Sequence, residues 1–301
     1  MLTRKDIPRL LTAGLQTIFQ NGYSGVATIY QEITTEVMST KASEDYGWLG
    51  ETAGLKEWLD ERAPASLKEN GFTLKNKDYE DSIAVDRNAI EDDQYWMVKM
   101  RVQKMAVSAK KSYDKELVKM IEANGLCYDG QNFFDTDHSE NNSGTQSNYF
   151  SSGYALAADK AKLVVTAMRG FKDDQGNPAG INPSHIMVPT GLEFTAKELF
   201  DPTYVSVTTD PSKATLKGLL KVIVNPYLAN AGTVANSAYY IMDLTQPVKP
   251  FIFQNRKPLE FVAVDNPSDI DFFMRKTLYY GVDARFAFGF GDWRMAAKAQ
   301  G

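Results

Sequence analysis

The stretch QYWMVKMRVQKMAVSAKKSYDKELVKMIEANG, residues 94–125, decides the fold. It holds no proline, and its one glycine is the last residue. Asp92 or Asp93 stands ahead of it as a cap, and Gly125 can close its end. Tyr95, Val98, Val102, Met105, Ala109, Tyr113, Leu117, Met120 and Ile121 recur at helical spacing. The pattern predicts one helix over 93–124, roughly 45 Å long at 1.5 Å per residue. Its other faces are basic. Lys99, Arg101, Lys104, Lys110, Lys111, Lys115 and Lys119 stand against Asp114, Glu116 and Glu122, a net of +4.

N-terminal to this helix, residues 4–21 read as an amphipathic helix carrying Ile7, Leu10, Leu11, Leu15, Ile18 and Phe19, with Asn21-Gly22 as its stop. Residues 41–93 differ in character, with 14 acids against 7 bases. Within them, Phe72, Leu74, Tyr79, Ile83 and Val85 alternate with polar residues, and Asn70-Gly71 and Asn76-Lys77 supply turns. An extended β-hairpin with irregular ends is expected. It has little core of its own and needs another surface to lie on.

C-terminal to the helix, NNSGTQSNYFSSG (141–153) is a polar loop. A helix at 154–171, a strand at 185–190, a helix at 191–200 and strands near 219–224 and 238–244 follow, which suggests a compact α/β lobe. PFIFQNRKPLEFVAVD (250–265) and DFFMRKTLYYGVDARFAFGF (271–290) read as long β stretches. The paired glycines of FGFGDW suggest a kink or bulge. The closing GDWRMAAKAQG is small and polar, with no amphipathic pattern. The overall expectation is α+β.

A chain of 301 residues with one cysteine cannot hold an internal disulfide, so a secreted disulfide scaffold is excluded. A net charge of −5 argues against a general nucleic-acid binder. No signal peptide and no apolar run of about 18 residues is present, so no membrane partner is expected. The candidate chemistry lies in CYDGQNFFDTDHSE, residues 127–140, where Cys127, Asp129, Asp135, Asp137, His138 and Glu140 cluster. One thiol and one imidazole without a recognised ligand spacing make a poor zinc set. A cysteine nucleophile would need His138 close by, and no motif supplies an oxyanion hole. The stretch reads better as a strand end, a turn, a return into the core through Phe133 and Phe134, and an exposed loop start. Glu91, Asp92 and Asp93 read as a helix N-terminus and His185 as a satisfied strand histidine. No phosphate loop or nucleophile elbow is present, and no cofactor, metal or catalytic residue is assigned.

Three blocks carry a family resemblance: YGWLGETAGLKEWLDER (46–62), NKDYEDSIAVDRNAIEDD (76–93) and CYDGQNFFDTDH (127–138). Their words, order and spacing resemble the Mu-like phage major head subunit family, often called gpT, and the resemblance covers essentially the whole chain. It implies the tailed-phage major capsid fold named for phage Hong Kong 97, and a shell protein rather than an enzyme. On that map, 1–43 is an N-terminal arm and 44–90 an extended loop. Residues 91–153 form a peripheral domain with the long "spine" helix, 154–250 an axial domain, and 251–301 a β return to the peripheral domain with the C-terminus. The implied partners are further copies as hexamers and pentamers, a scaffold and a maturation protease during assembly, a portal, loosely contacted double-stranded DNA and a possible decoration protein. The implied location is the virion, after assembly in the host cytoplasm.

In this fold the loop lies over a neighbouring subunit. The expectation is that the acidic loop meets a neighbour's basic helix at Lys104, Lys110 and Lys111. Trp48, Leu55, Trp58 and Tyr79 would be apolar anchors, and Arg62 would pair with a partner carboxylate. Lys68, Lys75 and Lys77 are loop lysines of the type that some capsids of this fold cross-link; no cross-link is expected here. The rival readings are another virion component, such as a portal or tail protein, and an enzyme using Cys127 and His138.

Overall fold

The computed structural model describes residues 6–48, 70–86, 95–203, 216–229, 237–264 and 274–301. The chain opens with α1 (Asp6–Ser24) and the single turn α2 (Tyr30–Ile33), which runs straight into β1 (Thr34–Met38). Then come β2 (Ser43–Trp48), β3 (Asn70–Lys75), β4 (Lys77–Asp86) and the long α3 (Tyr95–Ala123). The two-residue strands β5 (His138–Ser139), β6 (Thr145–Gln146) and β7 (Tyr149–Phe150) precede α4 (Ala158–Arg169), β8 (His185–Val188) and α5 (Glu193–Phe200). The chain closes with β9 (Lys221–Val224), β10 (Tyr239–Met242), β11 (Phe251–Val264), β12 (Thr277–Phe290) and β13 (Ala296–Ala299). The mixture is the α+β arrangement expected.

Two sheets organise these elements. One has the order β1-β11-β12-β4, and the other β7-β13-β10-β8-β9. The first is built on the 14-residue arms β11 and β12, with β1 parallel to β11 and β4 antiparallel to β12. The long helix serves two cores. Its first half places Val98, Val102, Met105 and Ala106 among Leu15 and Phe19 of α1, Val85 of β4, and Leu278, Tyr280 and Val282 of β12. Its second half sends Tyr113, Leu117, Val118 and Ile121 into the larger core, which continues through Phe251, Phe253 and Phe286 to Ile186, Met187 and Ile241 of the second sheet. Burying each such side chain contributes about 1.5–3 kcal/mol.

The expected hairpin is re-paired. β3 lies antiparallel to β2, from Ser43↔Lys75 to Trp48↔Asn70, and β4 joins β12 instead of β3. Asn76, between them, is not a hairpin turn. It is buried, its amide donates to Ser39 Oγ and Lys41 O at 2.9 Å, and its Oδ1 accepts from Gln254 at 2.8 Å. An alternating pattern on both sides of a short turn reads the same whether the strands pair with each other or with distant partners. The expected supporting surface does exist at the root of the β2–β3 pair. Tyr46 donates to buried Gln254 on β11 at 2.7 Å, and a Cβ added at Gly289 would lie 2.9 Å from the Leu74 side chain.

Other boundaries shift for local reasons. α1 continues past Asn21-Gly22, because Gly22 sits against α3, where an added Cβ would meet Ala106 at 3.2 Å. Asn124, not Gly125, takes the left-handed conformation that ends α3, with φ 47°. The paired glycines mark close approach rather than a kink: a Cβ on Gly291 would lie 2.6 Å from the Lys249 carbonyl oxygen. The C-terminal stretch is the largest correction. Trp293, Ala296, Ala297 and Ala299 are fully buried, and β13 inserts between β10 and β7 of the second sheet. The closing strand thus pairs in the sheet that holds β8 and β10, across the expected boundary at 250–251.

Candidate functional site

The turn after α3 gathers the thiol, imidazole and carboxylates of residues 127–140. Only an isolated bridge, Leu126↔Asn132, flanks it, so CYDG is a turn and not a strand end. Cys127 is buried, and its thiol donates to the Gly291 carbonyl at 3.6 Å. Burial pushes its pKa well above the ordinary thiol value, with Asp129 and Asp292 adding to the effect. That is the reverse of an activated nucleophile. No contact joins this thiol to an imidazole among the described residues, and no group of three or more His, Cys, Asp or Glu there could hold a metal.

His138, expected at an exposed loop start, is fully buried. Its Nδ1 lies 2.6 Å from Asp129 Oδ2, and its ring stacks on Trp293 with centroids 4.1 Å apart and planes 3° apart. Glu140 is the hub of the adjoining network. Its Oε1 accepts from Tyr128 OH at 2.5 Å and Trp293 Nε1 at 2.9 Å, and its Oε2 accepts from Arg294 Nη2 at 2.9 Å. Arg294 also donates to Tyr128 OH at 3.2 Å and lies 3.4 Å from Asp292. Tyr128, His138 and Glu140 thus clasp the segment 292–294, which enters β13. This is an internal polar core and not a reaction centre.

His185 behaves as a satisfied strand histidine: Nδ1 lies 2.8 Å from Ser184 Oγ and Nε2 lies 3.3 Å from Glu32. Burial lowers its pKa, opposed in part by Glu32.

The surface residues separate into three groups. Leu55, Trp58, Arg62 and Lys68, with Glu91, Asp92 and Asp93, lie outside the described residues. Trp48 is placed by its backbone alone, opposite Asn70 at the open end of β2–β3. Tyr79 packs inside its own subunit, its ring 4.2 Å from Phe286 and its hydroxyl donating to Glu116 at 3.2 Å. Lys110 is also corrected. It is buried, with Nζ 4.4 Å from the Tyr23 ring centroid and 5.5 Å from that of Tyr30. One turn on, the buried Asp114 accepts the backbone N–H groups of Ile29 at 3.0 Å and Tyr30 at 2.8 Å. This pair fastens the segment after α1 to the middle of α3. A 3.6-residue period marks these two positions as polar but cannot say that a second chain segment covers them. Lys104 and Lys111 are exposed, as are Lys75 and Lys77.

A family model described as "Mu-like prophage major head subunit gpT" matches residues 9–157, 146–228 and 229–301. The chain belongs to this family. It is 26% identical over 298 residues to the Mu-like prophage FluMu major head subunit of Haemophilus influenzae, covering 98% of this chain and 74% of that one. It is 25% identical over 303 residues to the major capsid protein of Escherichia phage Mu, covering 100% and 75%. Among solved structures, a procapsid chain of bacteriophage JBD30 superposes with a TM-score of 0.62 at 24% identity, covering 100% and 76%. A mature capsid chain of bacteriophage PhiM1 gives 0.54 at 13% identity, covering 91% and 87%. The fold is that of the Hong Kong 97-type capsid proteins. As a gpT family member the chain is a major capsid protein, a structural component of the phage particle and not an enzyme. Such shells form from many copies, so self-association belongs to its role. Among the described residues no helix is long and apolar enough to cross a membrane.

Proposed function

We propose that copies of this gpT subunit associate as hexamers and pentamers into an icosahedral head that encloses the double-stranded DNA of a tailed phage or prophage, and that neighbours register through a charged overlap. The observation that carries the reading is the division of charge within one chain. Residues 41–93 hold 14 acids against 7 bases, whereas Tyr95–Tyr113 holds five bases and no acid. Opposite charge on two elements of one chain favours docking between copies and raises the association rate more than the affinity.

In this reading residues 1–43 act as an arm and 44–90 as an overlapping loop. Residues 91–153 form the peripheral lobe, joined by the β11–β12 return, and 154–250 with β13 form the axial lobe. Trp48, Leu55 and Trp58 exclude water from the overlap, Arg62 pairs with a carboxylate, and Lys104 and Lys111 supply the receiving charge. A scaffold and a maturation protease act during assembly in the host cytoplasm, and a portal, the packaged DNA and a decoration protein contact the finished head.

Electron microscopy of the purified chain tests the proposal. Closed shells, or hexamers and pentamers that become shells, are expected. Rings of another symmetry or tubes alone refute it, as do monomers alone when the scaffold is supplied. Lys104→Glu with Lys111→Glu should lower shell yield, most strongly at low salt; a yield unchanged across a salt series removes the charged overlap.

A further inference from the structure

One buried carboxamide holds both strands of the β2–β3 ribbon. Gln254, fully buried on β11, accepts from the Tyr46 hydroxyl of β2 at 2.7 Å. Its Nε2 donates to the Leu74 carbonyl of β3 at 3.2 Å and to Asn76 Oδ1 at 2.8 Å. Asn76 carries the tie onward: its Nδ2 donates to Ser39 Oγ and its backbone N–H to Ala42 O, on the link between β1 and β2. Ser39 is fixed in turn, because its backbone N–H donates to Asn255 O at 2.9 Å. Both chain crossings into the ribbon, at 39–42 and at 76, thus converge on Gln254 and Asn255 of β11.

Apolar contact alone would not set the direction of this ribbon. Its two strands pair only with each other, and an isolated pair has little stability of its own. Leu74 and Phe72 lie over Gly289, and the Tyr46 ring stacks on Phe72 with centroids 5.2 Å apart. Such contacts survive sliding and tilting. A buried carboxamide does not tolerate them, since any movement that breaks its bonds leaves a donor or an acceptor buried and unpaired. The ribbon direction that uses both amide hydrogens and the carbonyl oxygen of Gln254 is therefore singled out.

We infer that Gln254 is a positioning residue for shell assembly: it fixes the direction in which the β2–β3 ribbon leaves its own subunit, and so the curvature at which copies join. The inference rests on the reading of 44–90 as an overlapping segment and adds what aims that segment.

Nitroxide labels at Trp48→Cys, on the open end of the ribbon, and at Ser108→Cys, exposed on α3, report the direction as a distance in the unassembled chain by pulsed electron paramagnetic resonance. The native Cys127 is buried and takes no label. One narrow distance is expected. Gln254→Leu should spread or split it, and Tyr46→Phe, which cuts one of the three bonds, should spread it less. Tyr46→Phe leaves Leu74 and Asn76 bonded, so it reads the tie even where Gln254→Leu fails to fold. A distance already broad in the parent chain, or unchanged by the substitutions, overturns the inference.

Electron microscopy of the unlabelled chains reads the consequence. Shells of one diameter are expected from the parent, and mixed diameters or open sheets from the two variants. Uniform shells from a variant whose ribbon distance has spread refute the role in curvature. A parent chain that forms no shells fails the earlier proposal instead, and the distance measurement still decides whether Gln254 aims the ribbon.

Discussion

Removing Arg294 should destabilise the subunit in a way that neutralising Glu140 partly reverses. Arg294 is 1% exposed and is the cation facing Glu140 and Asp292. Arg294→Met keeps the unbranched apolar stem of the side chain and deletes the guanidinium, leaving two carboxyl groups buried without it. Breaking a buried pair from one side costs about 3–5 kcal/mol. Asp292 already has its pKa raised by burial, so it takes up a proton readily once the guanidinium is gone. Glu140 is the residue left strained.

Glu140→Gln on that background removes the stranded charge. It also keeps an Oε1, the atom that accepts from both Tyr128 and Trp293. Only Oε2, which faces Arg294, is replaced. The double variant should therefore recover about 1–3 kcal/mol of the loss, whereas Glu140→Gln alone destabilises by setting an amide N–H₂ against the guanidinium. Urea unfolding of the unassembled chain, followed by far-ultraviolet circular dichroism, measures this. With a slope on the order of 2–3 kcal/mol per molar, Arg294→Met moves the midpoint down by about 1–2 M. Additive effects of the two substitutions, or an Arg294→Met midpoint equal to wild type, would refute the account.

Asp114→Ala strands two backbone N–H groups and the buried Lys110, so it should cost about 3–5 kcal/mol and speed proteolysis between residues 24 and 29. Gly291→Ala should destabilise more than Gly289→Ala in thermal melts, because the new methyl meets a backbone carbonyl at 2.6 Å in the first and the end of the Leu74 side chain at 2.9 Å in the second. Asn124→Gly suits the left-handed backbone but deletes the side chain that accepts from Phe134 N at 2.8 Å and donates to Phe134 O at 3.0 Å; a net loss of about 1–2 kcal/mol is expected by chemical denaturation. Cys127 should resist neutral-pH alkylation in the native chain and react fully in urea, and rapid native labelling would contradict its burial.

What the residues reveal in advance depends on how far each signal reaches along the chain. The spine helix is legible almost to the residue, because Val98 to Ile121 repeat every three or four positions and nothing breaks the run. The long arms β11 and β12 are legible for the same reason at a period of two. Strand partners are not. β3 and β4 carry the same alternation on either side of Asn76, yet one pairs with β2 and the other with β12, some 200 residues away. The closing AAKA is misread because its small side chains carry no hydrophobic signature; it is buried because it forms an inner strand between β7 and β10. Lys110 and His138 defeat composition in the same way, since burial of a polar side chain is decided by distant partners such as Tyr23 and Trp293. Of the interface candidates, Lys104 and Lys111 are exposed, as their charge leads one to expect.

The order of the strands also constrains when the subunit can exist. β1, made from residues 34–38, waits for β11 at 251–264, and β4 waits for β12 at 277–290. In the other sheet β13, at 296–299, is an inner strand between β7 and β10. Neither sheet can close on a ribosome that has delivered only the first 250 residues. Pairings this distant in sequence make folding slow, and unpaired edges on nascent chains invite aggregation. They also act as a clock within the chain: until its last residues arrive, a half-made subunit has neither sheet complete.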